Sequence, residues 1–235
     1  MRFISFLLRN LLCAGFVVCL LPLSSFSVLA DGGISVVGTR FVYPQGEKQL
    51  SIKANNTSTT ESFLVQSWIE NEVGAKTKDF IVTPPLYVSK PQKGTSLRLV
   101  YTGPELPKDR ETLYYFITKS IPAVEKDKTE GKSVLVIAMA TRLKVFVRPN
   151  GLKPDVSEAP SKMVFRKAGK NLEISNPTPY YVTMTELSAG SQTLKNIMVP
   201  PKGKITVNLL VGNKVSFRTV DDYGTFSPLQ HKTMM

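Results

Sequence analysis

The stretch Ser133–Arg148 reads S-V-L-V-I-A-M-A-T-R-L-K-V-F-V-R. Its first half is apolar on both faces, and its second half alternates basic with aliphatic residues. Strands average about five to six residues, so a strand over 133–148 outruns the partners its own domain supplies. Alternation places Leu135, Ile137 and Met139 on one parity and Arg142, Lys144, Phe146 and Arg148 on the other. Residues 134–140, apolar on both sides, require both to be covered. A central strand between two packed layers meets that need. So does an edge strand whose open side is filled by another protein, and periodicity does not choose between them. An unpartnered edge invites aggregation, so the second arrangement makes strand pairing the task of the segment.

The pattern around it is β throughout. Runs rich in Val, Ile, Thr, Tyr and Phe are separated by Gly, Pro, Asn and Asp clusters, which predicts strands at 34–38, 40–43, 48–54, 62–70, 80–82, 86–88, 95–101 and 113–121 before it. After it they fall at 163–167, 171–175, 180–188, 193–198, 204–209, 214–220 and 224–226. No stretch keeps a 3.6-residue apolar period for three turns, so no substantial helix is expected. Pro149-Asn150-Gly151-Leu152-Lys153-Pro154 ends the long strand and marks a boundary. The halves, 31–150 and 151–235, each suit an immunoglobulin-like sandwich; a single large barrel is the alternative. No internal repeat with matching residues joins the halves. Trp68, in F-L-V-Q-S-W-I-E, is expected to plug the first core, and Pro84-Pro85 is a candidate for a cis bond.

Residues 1–30 read as a cleaved secretory signal: Arg2 and Arg9, an apolar run from Leu11 to Leu23, then Val28-Leu29-Ala30. Both cysteines, Cys13 and Cys19, lie in it, so the exported chain is held by its cores rather than by disulfides. The whole chain carries a net charge of +12. Its basic residues are scattered through turns without aromatic interleaving, which argues for solvated loops rather than nucleic-acid binding. Catalysis finds little support. The one histidine, His231, is near the end, and neither a G-x-S-x-G elbow nor a phosphate-binding glycine loop is present. A Cys/His metal site cannot be assembled. Asn55-Asn56-Thr57-Ser58 holds two glycosylation sequons, equally explained by a turn.

Seven motifs resemble the periplasmic chaperones of the chaperone–usher pilus pathway, those of type 1 pili in particular. They are T-R-F-V-Y-P (39–44), Q-S-W-I-E-N (66–71), F-I-V-T-P-P-L (80–86), L-P-K-D-R-E-T-L-Y-Y-F (106–116), R-L-K-V-F-V-R-P (142–149), N-P-T-P-Y-Y-V-T-M-T-E-L (176–187) and D-D-Y-G (221–224). The resemblance spans the chain beyond the leader in one order. It implies an all-β protein of two immunoglobulin-like β-sandwich domains set in an L, located in the periplasm. Such a protein caps pilus subunits by donor-strand complementation and passes them to an outer-membrane usher, without enzymatic activity, cofactor, metal, nucleic acid or membrane insertion. Whether the free protein caps its own strand as a dimer stays open. By the resemblance Arg40 and Lys144 anchor the subunit's C-terminal carboxylate. Leu135, Ile137 and Met139 fill its groove, and Glu111, Arg148 and Asp222 form an interdomain salt bridge. Lys144 and the three apolar residues differ in parity, which a bulge near Thr141 or the bend of the cleft would reconcile. The segment 121–132 (IPAVEKDKTEGK), short and without cysteine, resembles the branch serving thick rod-like pili. A two-sandwich surface adhesin is the competing reading.

Overall fold

Alternating burial builds the first half of the chain. A computed structural model describes residues 32–124, 135–208 and 212–235; the leader, most of 121–132, and Ser133–Val134 lie outside the described residues. Strands β1 (Ile34–Val36), β2 (Arg40–Pro44), β3 (Leu50–Asn56), β4 (Phe63–Asn71), β5 (Phe80–Thr83), β6 (Leu86–Ser89), β7 (Gly94–Tyr101), β8 (Thr112–Pro122) and β9 (Met139–Arg148) form two sheets. Their orders are β1-β3-β7-β5 and β2-β9-β8-β4-β6. Between the sheets lie Tyr43, Ile52, Leu97, Leu99, Phe116, Val145 and Val147, all buried. Phe80 meets Tyr43, Tyr101 and Tyr114 edge to face at 5.0–5.5 Å, the arrangement ring quadrupoles favour.

The second half repeats this architecture. Strands β10 (Val164–Ala168), β11 (Asn171–Asn176) and β15 (Gly203–Asn208) make one sheet. The other contains β12 (Val182–Ala189), β13 (Gln192–Thr193), β14 (Ile197–Val199), β16 (Lys214–Thr219) and β17 (Gln230–Thr233). Phe165, Leu172, Ile174, Met184, Leu187 and Phe217 fill the space between them. The chain is all-β with two sandwiches, and its only helix among the described residues is a 3₁₀ segment, Val156–Lys162. Asp155 caps that segment by accepting from the Ser157 N–H at 2.9 Å.

The two halves also share a corner that the residues alone did not reveal. Asn56 closes β3: its carboxamide oxygen accepts from Ser58 N–H, and its nitrogen donates to the carbonyls of Glu61 and Ser89. Asn176 closes β11 in the same way, accepting from Thr178 N–H and donating to the carbonyls of Tyr180, Val199 and Pro200. Both side chains are buried. Each is an Asn-x-Ser/Thr, so the second of the two sequons is a buried structural corner.

Several expectations change. The strand foreseen over 133–148 begins at Met139, because its pairing with β8 ends at Ser120↔Met139. Trp68 is not the core plug. In β4 the odd residues Phe63, Val65, Ser67 and Ile69 point inward, so Trp68 falls on the outer face, donating to Glu70 Oε1 at 3.1 Å. The run 193–198 splits into β13 and β14, 224–226 contributes only a bridge from Phe226 to Val220, and the tail around His231 forms β17. The Thr83–Pro84 bond is cis, and so is Lys153–Pro154.

A sheet switch sets up the region of interest. β1 pairs with β3, and after Gly38, at φ +108, the chain crosses to pair β2 in parallel with β9. A φ of that sign favours glycine. The parallel pairing runs from Arg40↔Lys144 to Pro44↔Arg148. It therefore covers only the second half of β9.

Candidate functional site

The length mismatch between β2 and β9 makes a graded strand. From Met139 to Leu143, β9 pairs with β8 alone; from Lys144 onward it is sandwiched between β8 and β2. Burial follows the same step: residues 139–142 are exposed, 143 and 144 half-buried, and Val145, Phe146 and Val147 buried. Ahead of the strand Leu135 is 84% and Ile137 61% exposed, and Met139 is 66% exposed. Large apolar side chains left in water beside an unpaired backbone edge form a template for strand addition.

The covered half carries the charges. Arg40 opens β2 directly opposite Lys144. Arg40 Nη1 donates to the Val220 carbonyl at 3.0 Å, and its Nε is buried without a hydrogen-bond partner. Lys144 Nζ donates to Thr183 Oγ1 at 3.3 Å. Among the described residues neither cation is ion-paired, since the nearby carboxylates are engaged elsewhere. Burial, and then the neighbouring charge of Arg40, hold the Lys144 ammonium down to about 8. Burial also lowers Arg40 from its ordinary value, against the pull of Asp222, Asp221 and Glu111. Two half-buried, adjacent cations with no salt bridge of their own among the described residues suit a carboxylate, which gains charge-assisted hydrogen bonds from both.

Four residues further along, Arg148 joins the halves. Its Nε donates to Glu111 Oε1 at 2.7 Å, and Nη1 and Nη2 donate to the two Asp222 oxygens at 2.7 and 2.8 Å. Glu111, 3% exposed, uses its second oxygen to accept from Tyr181 N–H at 2.7 Å. Burial works against the guanidinium's charge, but the hydrogen bonds and charges of Asp222 and Glu111 outweigh it and raise Arg148 above its ordinary value. Burial pushes the Glu111 carboxyl up, opposed by Arg148 and the Tyr181 N–H. A buried carboxylate of this kind is tolerable only when paired.

Residues not singled out from sequence complete the junction. Tyr181 stacks on Phe146 with ring centroids 5.6 Å apart and donates its hydroxyl to Glu72 at 3.1 Å. Lys202 Nζ reaches Asp109 at 2.6 Å. Asp109 and Tyr181 lay inside the motifs 106–116 and 176–187, but Glu72 and Lys202 lay in none, and contacts between residues so far apart in sequence have no local pattern. Arg40, Lys144, Glu111, Arg148 and Asp222 are thus gathered about one cleft, while Leu135, Ile137 and Met139 stand beyond it. The register of β9 on β8 is unbroken from Met139 to Val147. The bulge considered near Thr141 is absent, and Lys144 and Met139 face opposite ways.

Comparison with known proteins places this geometry in company. A family model described as pili and flagellar-assembly chaperone, PapD N-terminal domain, matches residues 33–153. The pili assembly chaperone PapD C-terminal domain matches residues 158–231. The probable fimbrial chaperone SfmC of Escherichia coli K12 is 43% identical over 208 residues, covering 88% of this chain and 90% of that one. The chaperone protein FimC of the same strain is 40% identical over 202 residues, covering 85% and 83%. The crystal structure of the periplasmic chaperone SfaE superposes with a TM-score of 0.72 at 38% identity, covering 84% of this chain and 97% of that one.

Proposed function

Because the chain belongs to the PapD-like family of pilus-assembly chaperones, we propose that it captures fimbrial subunits in the periplasm by lending them the exposed run from Leu135 to Arg142. It acts stoichiometrically, without catalysis or ATP, and hands its cargo to an outer-membrane usher. The observation that carries this reading is the half-covered β9, with its open edge ending at Arg40 and Lys144. A subunit strand added at that edge continues the sheet where β2 stops, and its terminal carboxylate meets the two cations. Leu135, Ile137 and Met139 then fill apolar pockets of the subunit. Each buried side chain contributes roughly 1.5–3 kcal/mol before the costs of association. The carboxylate fixes the register, which matters because a slip of one residue reverses the faces. Glu111, Arg148 and Asp222 brace the two sandwiches around the site.

The test is recovery of a complex. The protein is expressed with its fimbrial operon, released by osmotic shock, and purified, and bound subunits are identified by mass. Lys144→Ala is expected to remain soluble and folded while losing the subunits. Undiminished subunit recovery in that variant removes the anchor. Retention of the protein at the cell surface instead of in the shock fluid favours the adhesin reading.

A further inference from the structure

We infer that the hairpin from Val220 to Pro228, which presents Tyr223 and Phe226 at the cavity containing Arg40, is a second contact for the bound subunit, taking an apolar side chain that flanks the anchored carboxylate. This rests on the subunit-binding reading above and adds to it a role for the C-terminal sandwich.

The hairpin is built for rigidity. Asp221 accepts through one carboxylate oxygen from the N–H groups of Tyr223 and Thr225, at 2.9 and 2.8 Å. Its own N–H donates to the Thr225 carbonyl, and its carbonyl accepts from Gly224. Val220 and Phe226 close the base as a bridge, and Asp222 is clamped by Arg148. The tip is docked as well. Gly224 sits at φ +87, and a Cβ there would run into Thr39 Oγ1, so the turn rests on the residue next to Arg40.

This frame holds Tyr223 91% exposed and Phe226 58% exposed. The side chain of Tyr223 has no packing role that explains such an ordered support. Rigid aromatics give up little conformational entropy on binding, and exposed tyrosines on fixed loops supply contact area at low cost. Tyrosine is also among the residues that most often dominate binding energy. Both rings line one cavity of about 480 Å³ that also includes Arg40, Phe146 and Tyr181. That is ample for a subunit side chain. Continuity with Arg40 identifies the occupant: a carboxylate held there brings its flanking groups to the same cavity, whose walls include the rings of Phe146, Tyr180, Tyr181, Tyr223 and Phe226.

The experiment uses the full-length exported protein and the fimbrial subunit that co-purifies with it, identified, expressed and titrated by surface plasmon resonance. Tyr223→Ala is expected to weaken binding by about tenfold, chiefly through faster dissociation, and the Tyr223→Ala/Phe226→Ala pair by more. Tyr223→Phe should restore most of the affinity. The unfolding midpoint of Tyr223→Ala should equal that of the parent, because the side chain is exposed. The decline in affinity above pH 8 should persist, because Lys144 is untouched. Parental affinity in both hairpin variants overturns the inference while leaving the anchor standing. Parental affinity in Lys144→Ala instead overturns the anchor, and the Tyr223→Ala result then reports on the hairpin separately.

Discussion

Replacing Lys144 with methionine should make the free protein more stable and nearly useless for capture. The ammonium is half-buried beside Arg40, and among the described residues its side-chain hydrogen bond goes to Thr183. The displacement from 10.5 to about 8 would correspond to roughly 3 kcal/mol if the group were sealed from water. Lys144 keeps part of its surface in solvent, and screening reduces this to about 1–2 kcal/mol. Methionine keeps the length and apolar stem without the charge, so Lys144→Met should gain about that much at pH 7. The sign follows from linkage. The folded pKa lies below the unfolded one, so between about pH 8 and 10.5 the unfolded chain holds the extra proton and stability rises with pH. Below that window both states are charged and the cost of burial is borne in full. Binding runs the other way. The carboxylate needs the charged form, so affinity holds below about pH 8 and falls above it. Loss of one charge-assisted hydrogen bond costs about 1.5–3 kcal/mol, roughly 10- to 150-fold in affinity. Urea denaturation at pH 7 and pH 10, with subunit titration at the same two values, measures both slopes. The reasoning fails if Lys144→Met is less stable than the parent, or if it binds the subunit as tightly.

Ile137→Asp should leave the unfolding midpoint unchanged, since the side chain is 61% exposed, yet lower subunit affinity by at least tenfold through the lost apolar burial of about 1.5–3 kcal/mol; equal binding in a pull-down titration would remove its role as a plug. Arg148→Ala strands Glu111, 3% exposed, without its guanidinium partner. It should cost about 3–5 kcal/mol in chemical denaturation, and a loss below about 1 kcal/mol would mean the network carries little. Asn176→Ala removes the buried amide that donates to the carbonyls of Tyr180, Val199 and Pro200 and should destabilise by about 2–4 kcal/mol. A calorimetric midpoint shift of less than a degree would contradict that.

The sequence carried the fold well because strands announce themselves locally. Burial in β3, β4 and β11 alternates residue by residue, and the sandwich count followed from turn chemistry. What it hid is what depends on neighbours. Trp68 looked like a plug by size, but Phe63, Val65 and Ile69 had already fixed the inward parity of β4. β9 starts where its ladder with β8 starts, at Met139 opposite Ser120, not at the head of the apolar run of 133–148. The Asn56 and Asn176 corners share only three-residue signals separated by 120 positions. They became visible once both side chains were seen closing equivalent strands.

The same kind of reasoning resolves the parity conflict between anchor and plugs. With an unbroken register from Met139 to Val147, the odd side chains Val145 and Val147 enter the sandwich core, while Lys144, Phe146 and Arg148 look toward Thr183, Tyr181 and Asp222. On the donor-strand reading, the odd row simply continues past the end of β2. The pockets that took Val145 and Val147 inside this protein are succeeded by pockets of the subunit for Met139, Ile137 and Leu135. On that reading the subunit extends this protein's own core along one face of the strand, and its terminus meets the cations where β2 takes over the strand edge. One regular strand then serves both tasks because β2 begins only at Arg40. Lengthening β2 toward residue 36 would shut the edge without touching a plug or an anchor.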